Sequence, residues 1–282
     1  MQNKVLAIND ISCVGRCSLT VALPIISAVG IECSILPTAI LSTHTGGFSG
    51  FTFVDFTSEI NKIANHWKSL DLKFNTIYTG FLGSKEQVGV VKKVTEMFGG
   101  EDVNLIVDPA MADNGEMYSI FDMEFANEMK KLCVGAGVIL PNITEACFLA
   151  GVEYQSAPHS KEFINELVNK LGELNIKSLV LTGVNYDGVN VGALTHNYVS
   201  GEESYYSREI IPHYIHGTGD CFASAFTAAL TKGLTLVESS KIAVDFTVDS
   251  ILETLKYDGI DTRYGVCFEE CLGKLNTIIN KN

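Results

Sequence analysis

His216-Gly217-Thr218-Gly219-Asp220-Cys221-Phe222-Ala223-Ser224-Ala225-Phe226 sets two glycines and an aspartate directly before a helical pattern. Phe222, Ala225, Phe226, Ala229 and Leu230 recur at i, i+3, i+4, i+7 and i+8, one face of a helix. Glycines reach backbone angles other residues avoid, so several amides here can turn toward one point. A helix start adds unpaired N–H groups and the positive end of the dipole, which attract anions. Asp220 places a carboxylate beside that anion site. An anion cradle with a base in it is what phosphoryl transfer to a hydroxyl requires. The plainer reading makes Asp220 a helix cap and Gly-x-Gly a simple turn.

Two nucleotide signatures fit poorly. A dinucleotide fingerprint needs a small residue where Phe222 stands, and the Gly-Lys-Ser/Thr ending of a phosphate loop is absent.

The chain has 282 residues, 46% of them hydrophobic and 19% charged, a globular composition. Its net charge of -13, with no basic run, argues against a nucleic-acid partner. Magnesium, which takes carboxylate ligands, suits that balance. The first ten residues lack a long apolar run, and no apolar run reaches about 18 residues, so neither a signal peptide nor a membrane span is expected. The eight cysteines form no Cys-x-x-Cys pair. Reduced thiols of a cytoplasmic protein are the expectation.

Short apolar runs at Val5–Ile8, Cys33–Pro37, Thr76–Thr79, Leu105–Val107, Val138–Leu140 and Ser178–Leu181 read as buried strands. Helical patterns over Cys17–Val29, Phe56–Leu70, Lys85–Met97, Glu124–Leu132, Glu145–Leu149 and Phe163–Leu171 separate them. Pro24 should bend the first. Gly192–Thr195 and Ser204–Ile211 look like a strand pair, followed by helices over Leu236–Leu255 and Gly265–Ile279. Alternating strands and helices imply a mostly parallel sheet with helices on both faces, in which ligands sit at the carboxyl ends of strands. No repeat or linker divides the chain, so residues 1–282 are expected to form one domain.

Three further segments carry polar groups near strand ends. Asp108-Pro109-Ala110-Met111-Ala112-Asp113 offers two carboxylates for magnesium or its water shell, or two capping aspartates. Asn142 and Glu145 have capping-box spacing, and Glu145 could instead position a metal-bound water. His44-Thr45-Gly46-Gly47 faces either a small polar ligand or solvent from a glycine turn.

In this order the elements resemble the ribokinase-like superfamily and, within it, the pyridoxal kinases, over nearly the whole chain. The resemblance rests on Val14-Gly15, Pro24, His44-Thr45-Gly46, Thr79-Gly80, Asp108 to Asp113, Gly115-x-Met117-Tyr118, Pro141-Asn142-x-x-Glu145, Thr182 and Gly217 to Asp220. It implies a three-layer α/β/α kinase without a separate lid domain. Such an enzyme uses ATP and Mg²⁺, with K⁺ as a further cation in many members, and acts on a small-molecule substrate as a homodimer. Asp220 is then the general base, and the Gly217, Thr218 and Gly219 amides form the anion hole. Asn142 and Glu145 arrange the metal and its waters, Asp108 and Asp113 lie near phosphates and cations, and Thr182 and Thr218 near the nucleotide. Asn9, Asp10, Ser12, His44, Thr45 and Phe81 face the acceptor, whose 5′-hydroxymethyl group is phosphorylated.

The chain departs from that pattern on the acceptor and cation side. Gly47 stands where an aromatic residue is common, Phe81 replaces a tyrosine, Leu140 a threonine, and Asn9-Asp10-Ile11-Ser12 the usual Ser-His pair. These changes leave pyridoxal, pyridoxine, pyridoxamine and hydroxymethylpyrimidine all open as acceptors, with other ribokinase-like kinases behind them. A dehydrogenase using Gly217-x-Gly219, and an idle vitamer carrier on the same fold, are the readings from other classes.

Overall fold

The structure, a computed structural model, describes residues 2–281. Along the chain it contains β1 (Lys4–Val14), α1 (Leu19–Ala28), β2 (Glu32–Thr43), β3 (Phe53–Asp55), α2 (Thr57–Ser69), β4 (Thr76–Thr79) and α3 (Lys85–Phe98). These are followed by β5 (Asn104–Val107), β6 (Ala112–Asp113), β7 (Glu116–Met117), α4 (Met123–Cys133), β8 (Val138–Ile139), α5 (Ile143–Ala150) and α6 (Lys161–Gly172). The last part holds β9 (Ser178–Val184), β10 (Asn190–Asn197), β11 (Glu203–Glu209), α7 (Thr218–Thr231), α8 (Leu236–Thr254) and α9 (Leu272–Lys281).

Nine strands form one sheet in the order β11-β10-β9-β8-β5-β4-β1-β2-β3, and β6 and β7 make a small separate hairpin. The six central strands run parallel; β3 at one edge and β10 near the other run against them, and β11, antiparallel to β10, turns back to their direction. Alternation along the strands supplies two cores. Leu6, Ile8, Ile77, Val107 and Ile139 face the layer of α2 to α6. Val5, Ala7, Tyr78, Ile106 and Val138 face the layer of α1, α7, α8 and α9. The expected mixed α/β architecture, a mostly parallel sheet between two helical layers, is therefore what forms.

β1 lies inside the sheet, third from the β3 edge, with the chain winding outward to β2 on one side and to β4, β5, β8 and β9 on the other. The order reverses between β1 and β4, and such a switch point opens a crevice at the carboxyl ends of the two strands. β1 and β2 run well past the expected segments, paired as far as Val14 and Thr43 with a register shift after Asn9. α7 is buried on nearly every side, because small residues such as Ala223, Ala225 and Ala228 let the sheet, α1 and α8 approach closely.

Two helices begin two or more residues later than the sequence suggests. The final helix begins at Leu272 rather than Gly265, after 3₁₀ turns at Thr262–Tyr264 and Glu269–Cys271. Gly265 sits at φ 85°, outside the helical region, and Val266 and Phe268 are buried between those turns. The first helix begins at Leu19 rather than Cys17, because Ser18 takes φ 58° and ψ −130°. Pro24 lies inside that helix. All eight cysteines are unpaired, six of them buried. No helix among the described residues is long and apolar enough to cross a membrane.

Candidate active site

Gly217 caps α7 at φ 78°, and an added Cβ would stand 2.1 Å from the Arg16 carbonyl oxygen. Glycine is thus required there twice, by its left-handed backbone and by the close approach. Among the described residues nothing accepts a hydrogen bond from the Thr218, Gly219 or Asp220 amide, so the first turn presents free donors. Gly219 differs from Gly217: no heavy atom stands within 4 Å of a Cβ built there. Its missing side chain leaves open space beside those amides.

Asp220 is half-buried in the same turn, and burial with the neighbouring Asp10 charge pushes its carboxyl up to about 7. Hydrogen bonding from the Ser18 backbone pulls the other way. Asp10, almost fully buried at the register shift within β1, is itself raised by burial; the Ser18 and Ser12 side chains oppose this. Ser12 Oγ donates to Asp10 Oδ2 at 3.1 Å. Ser18 thus lies beside both acids, its side chain toward Asp10 and its backbone toward Asp220. It does so in a strained backbone conformation and without a side-chain cap on α1. Nothing in the local sequence marks Ser18, and only its φ reveals it.

Asp108 follows β5, and its amide extends the ladder to Thr79 O at 2.9 Å. Burial raises its carboxyl well above the usual range, with Glu145 and Asp220 adding to the effect. Glu145 is also raised, mainly by burial. Its Oε1 accepts from the Met111 amide at 3.1 Å and its Oε2 from the Asn142 amide at 2.9 Å, while Asn142 Oδ1 caps the Glu145 amide. The capping box is real, and it braces the Asp108-to-Asp113 loop against α5. Asn142 Nδ2 adds a bond to Ala112 O at 2.8 Å. Thr182 meets the same point: it bridges Asn142 across strands and turns its hydroxyl to Pro141 O at 3.4 Å. Asp113 accepts from Asn114 and from the Tyr214 hydroxyl at 3.3 Å.

A cleft of about 270 Å³ runs past Asp113, Asn142, Thr144, Gly183 and Asn185. A second groove of about 120 Å³, between α8 and α9, shares none of these residues.

The acceptor-side set is more divided. Asn9 is fully buried and its Oδ1 accepts from the Phe81 and Asp10 amides. Its Nδ2 has no partner among the described residues. His44 has both ring nitrogens engaged, Nε2 donating to Arg263 O at 2.6 Å and Nδ1 accepting from the Gly46 amide at 3.2 Å. It pins the loop after β2 rather than offering a free polar atom. The ring packs 5.0 Å from Phe48 and 5.0 Å from His216, and Tyr214 lies 5.1 Å from His216. The Phe81 ring packs 5.6 Å from Phe121. Thr45 is half-buried. Tyr214, His216 and Phe121 went unmarked in the sequence because aromatic spacing alone does not separate a site wall from a core.

No three His, Cys, Asp or Glu side chains among the described residues converge closely enough to hold a metal ion by themselves. Among the described residues none of Asp10, Asp108, Asp113, Glu145 or Asp220 forms an ion pair. Such an uncompensated, oxygen-only set fits Mg²⁺, which keeps several waters and shares its ligands with substrate phosphates. Burial drives the Cys17 and Cys221 thiols far up, which leaves them protonated packing groups.

An open parallel sheet with a glycine-capped helix and a carboxylate at its switch point defines a ribokinase-like small-molecule kinase. The chain belongs to the phosphomethylpyrimidine kinase family, whose profile matches residues 23–263. It is similar to a candidate phosphomethylpyrimidine kinase from Bacteroides thetaiotaomicron, solved with pyridoxal. That structure has a TM-score of 0.92 and 34% identity, over 98% of this chain and 96% of that one. It is also similar to pyridoxal kinase from Lactobacillus plantarum, at TM-score 0.89 and 28% identity, over 100% and 99% of the two chains. Hydroxymethylpyrimidine/phosphomethylpyrimidine kinase of Bacillus subtilis is 26% identical over 239 residues, 81% of this chain and 80% of that protein. The protein is thus a kinase of the hydroxymethylpyrimidine and pyridoxal kinase type, with ATP and a small molecule as its substrates.

Proposed function

We propose that the protein transfers the γ-phosphoryl group of ATP to the 5′-hydroxymethyl group of a vitamin B6 compound. The carrying observation is Asp220, a carboxyl raised to about 7 in the same turn as the unpartnered Thr218 and Gly219 amides. A base poised near neutrality takes the proton of the attacking hydroxyl, and the amides receive the negative charge of the transferring group. The pyridoxal in the Bacteroides structure supports the choice of vitamer class.

The remaining residues position and neutralise. Asp108 and Asp113 would hold Mg²⁺ directly or through water, and Glu145, with both oxygens on backbone amides, would orient them from behind. Bound Mg²⁺ supplies charge neutralisation along the phosphates. Asn142 lines the cleft and Thr182 bridges it from behind, on what would be the nucleotide side, where K⁺ is a further candidate beside the phosphates. Thr45 and the Phe81 ring would face the acceptor, with the buried Asn9, Asp10 and Ser12 shaping that side from behind. His44 fixes the loop that covers it.

A second reading is phosphorylation of hydroxymethylpyrimidine, favoured by the family profile and by the Bacillus relative. Both acceptors are flat heteroaromatic alcohols, so one site suits either. Steady-state rates with pyridoxal, pyridoxine, pyridoxamine and hydroxymethylpyrimidine, each with Mg·ATP, decide between them. A kcat/KM for the pyrimidine above that of all three vitamers overturns the first reading in favour of the second. No turnover of any of the four removes both.

A further inference from the structure

Thr38 in β2 and Gln87 in α3 are polar side chains at 0% exposure that take no part in the phosphoryl-transfer set. Both close on the loop between β4 and α3, which carries Phe81. The Phe81 backbone is held from two strands at once. Its amide donates to Asn9 Oδ1 in β1 at 2.8 Å, and its carbonyl oxygen accepts from Thr38 Oγ1 in β2 at 3.3 Å. Gln87 extends the chain of bonds. Its Oε1 accepts from the Gly83 amide at 2.7 Å, and its Nε2 donates to Thr38 O at 2.8 Å and to Thr57 Oγ1 at 3.1 Å. Asn9, Thr38 and Gln87 thus bracket residues 81–83 from β1, β2 and α3.

The start of α3 needs none of this. Ser84 already caps the helix, its Oγ accepting from the Gln87 amide at 3.2 Å. A loop at a strand end ordinarily runs over the surface, where water satisfies its backbone. Here three side chains at 0% exposure do so, and burying such groups is tolerated only when their bonds are made. Gln87 uses its oxygen and both of its N–H groups. The fit is close at the strand tip too, where a Cβ on Gly80 would stand 2.2 Å from Asn9 Nδ2. Buried polar networks rigidify what they hold. This one holds a half-buried aromatic ring beside the carboxyl ends of β1 and β4, packed 5.6 Å from Phe121.

We propose that Thr38 and Gln87, acting with Asn9, are positioning residues for the acceptor: they fix the Phe81 ring as a preformed platform for a flat heteroaromatic alcohol. The inference rests on the reading of Phe81 as an acceptor wall, and not on which of the four alcohols is used. A platform fixed beforehand needs no ordering when the acceptor arrives, so the network acts on acceptor affinity rather than on the phosphoryl step.

The test compares Thr38→Val, which keeps the shape and removes one hydroxyl, with Gln87→Met, which keeps the length and removes the amide. The acceptor KM rises about threefold to tenfold, more in Gln87→Met, as for the loss of one or two hydrogen bonds, while kcat and the KM for Mg·ATP hold. Calorimetry without nucleotide gives the same loss of acceptor affinity. In a Phe81→Ala background neither substitution weakens acceptor binding further, whereas a merely structural role costs the same in either background. Unchanged acceptor affinity in both variants overturns the proposal. So does an equal loss with and without the Phe81 ring, and so does a fall in kcat with the acceptor KM held. If Gln87→Met does not fold, Thr38→Val decides alone. A wild-type protein that binds one of the four alcohols without phosphorylating it, with the same Phe81-dependent loss in the variants, sinks the substrate reading alone. Binding of none of the four sinks both.

Discussion

The Arg16 carbonyl oxygen lies against Gly217, 2.1 Å from where a Cβ would be. Arg16 is itself held from the other side, its amide donating to Tyr264 O at 2.9 Å and its side chain paired with Glu269 at 2.6 Å. The turn after β1 thereby locks the amide cradle at the start of α7. The acceptor side and the phosphoryl side are parts of one rigid assembly.

Gly217 and Gly219 should respond differently to alanine. Gly217→Ala meets both the positive φ and the Arg16 oxygen, so it loses activity and stability together, the backbone alone costing about 1–2 kcal/mol. Gly219→Ala meets no heavy atom within 4 Å and keeps its Tm. Its methyl group enters the space beside the free amides, and kcat falls by ~10²-fold as for loss of an oxyanion contact. Thermal melts and turnover on the two variants check the contrast; a Gly219→Ala enzyme with normal kcat shows the cradle is not where phosphoryl charge develops.

Asp220→Asn keeps the size and removes the base. Turnover drops by at least ~10²-fold while nucleotide affinity by calorimetry stays within a few-fold. Near-normal turnover in this variant is incompatible with general-base chemistry at position 220.

The pH dependence follows from the raised Asp220 carboxyl, about 7 when folded against about 3.9 for an ordinary aspartate. Activity needs the deprotonated form, so kcat/KM climbs as pH rises through about 7. Stability moves the opposite way. Between the two values the folded state binds the proton that the unfolded state has released, so this group's contribution to folding is lost as pH rises through the folded value. The ligand-free protein is expected to melt lower at pH 8 than at pH 6, and Asp220→Asn to flatten that slope. Melting curves across this range measure it, and an unchanged slope in the variant places the titration elsewhere.

Asn142→Ala removes the α5 cap and the tie to Ala112 O. The cap alone is worth ~1 kcal/mol, read as a lower urea midpoint. Because the Asp108-to-Asp113 loop loses its brace, the KM for Mg·ATP rises while the acceptor KM holds. An equal rise in both would mean that the loop does not serve the nucleotide side.

His44→Ala releases two hydrogen bonds that fix the loop after β2. At about 1 kcal/mol per bond the acceptor KM rises several-fold to tenfold, with kcat retained. A fall in kcat with KM unchanged would instead place His44 at the chemistry.

The strands Thr76–Thr79 and Leu105–Val107 and the cap at Asn142–Glu145 were readable because each depends on local order: an apolar run, a tip residue, a three-residue spacing. The last helix was misplaced because Val266 and Phe268 look helical by pattern but are buried in irregular chain between two turns. The site was legible only as a roster. Gly217, Asp220, Asp108 and Glu145 could be picked out, whereas Ser18, Tyr214 and His216 could not, since their meaning comes from residues far away in the chain.

By itself the sequence determined the alternation of strands and helices, the glycine-capped start of α7 and the residue types at each strand tip. These follow from side-chain size, hydrogen-bonding capacity and periodicity, which are local properties. Only the tertiary structure decided which acids share one buried space, and so which carboxyls are raised. It also showed that both His44 ring nitrogens are engaged. Desolvation and Coulomb repulsion depend on distance through the fold rather than along the chain, and those distances exist only once the sheet has closed.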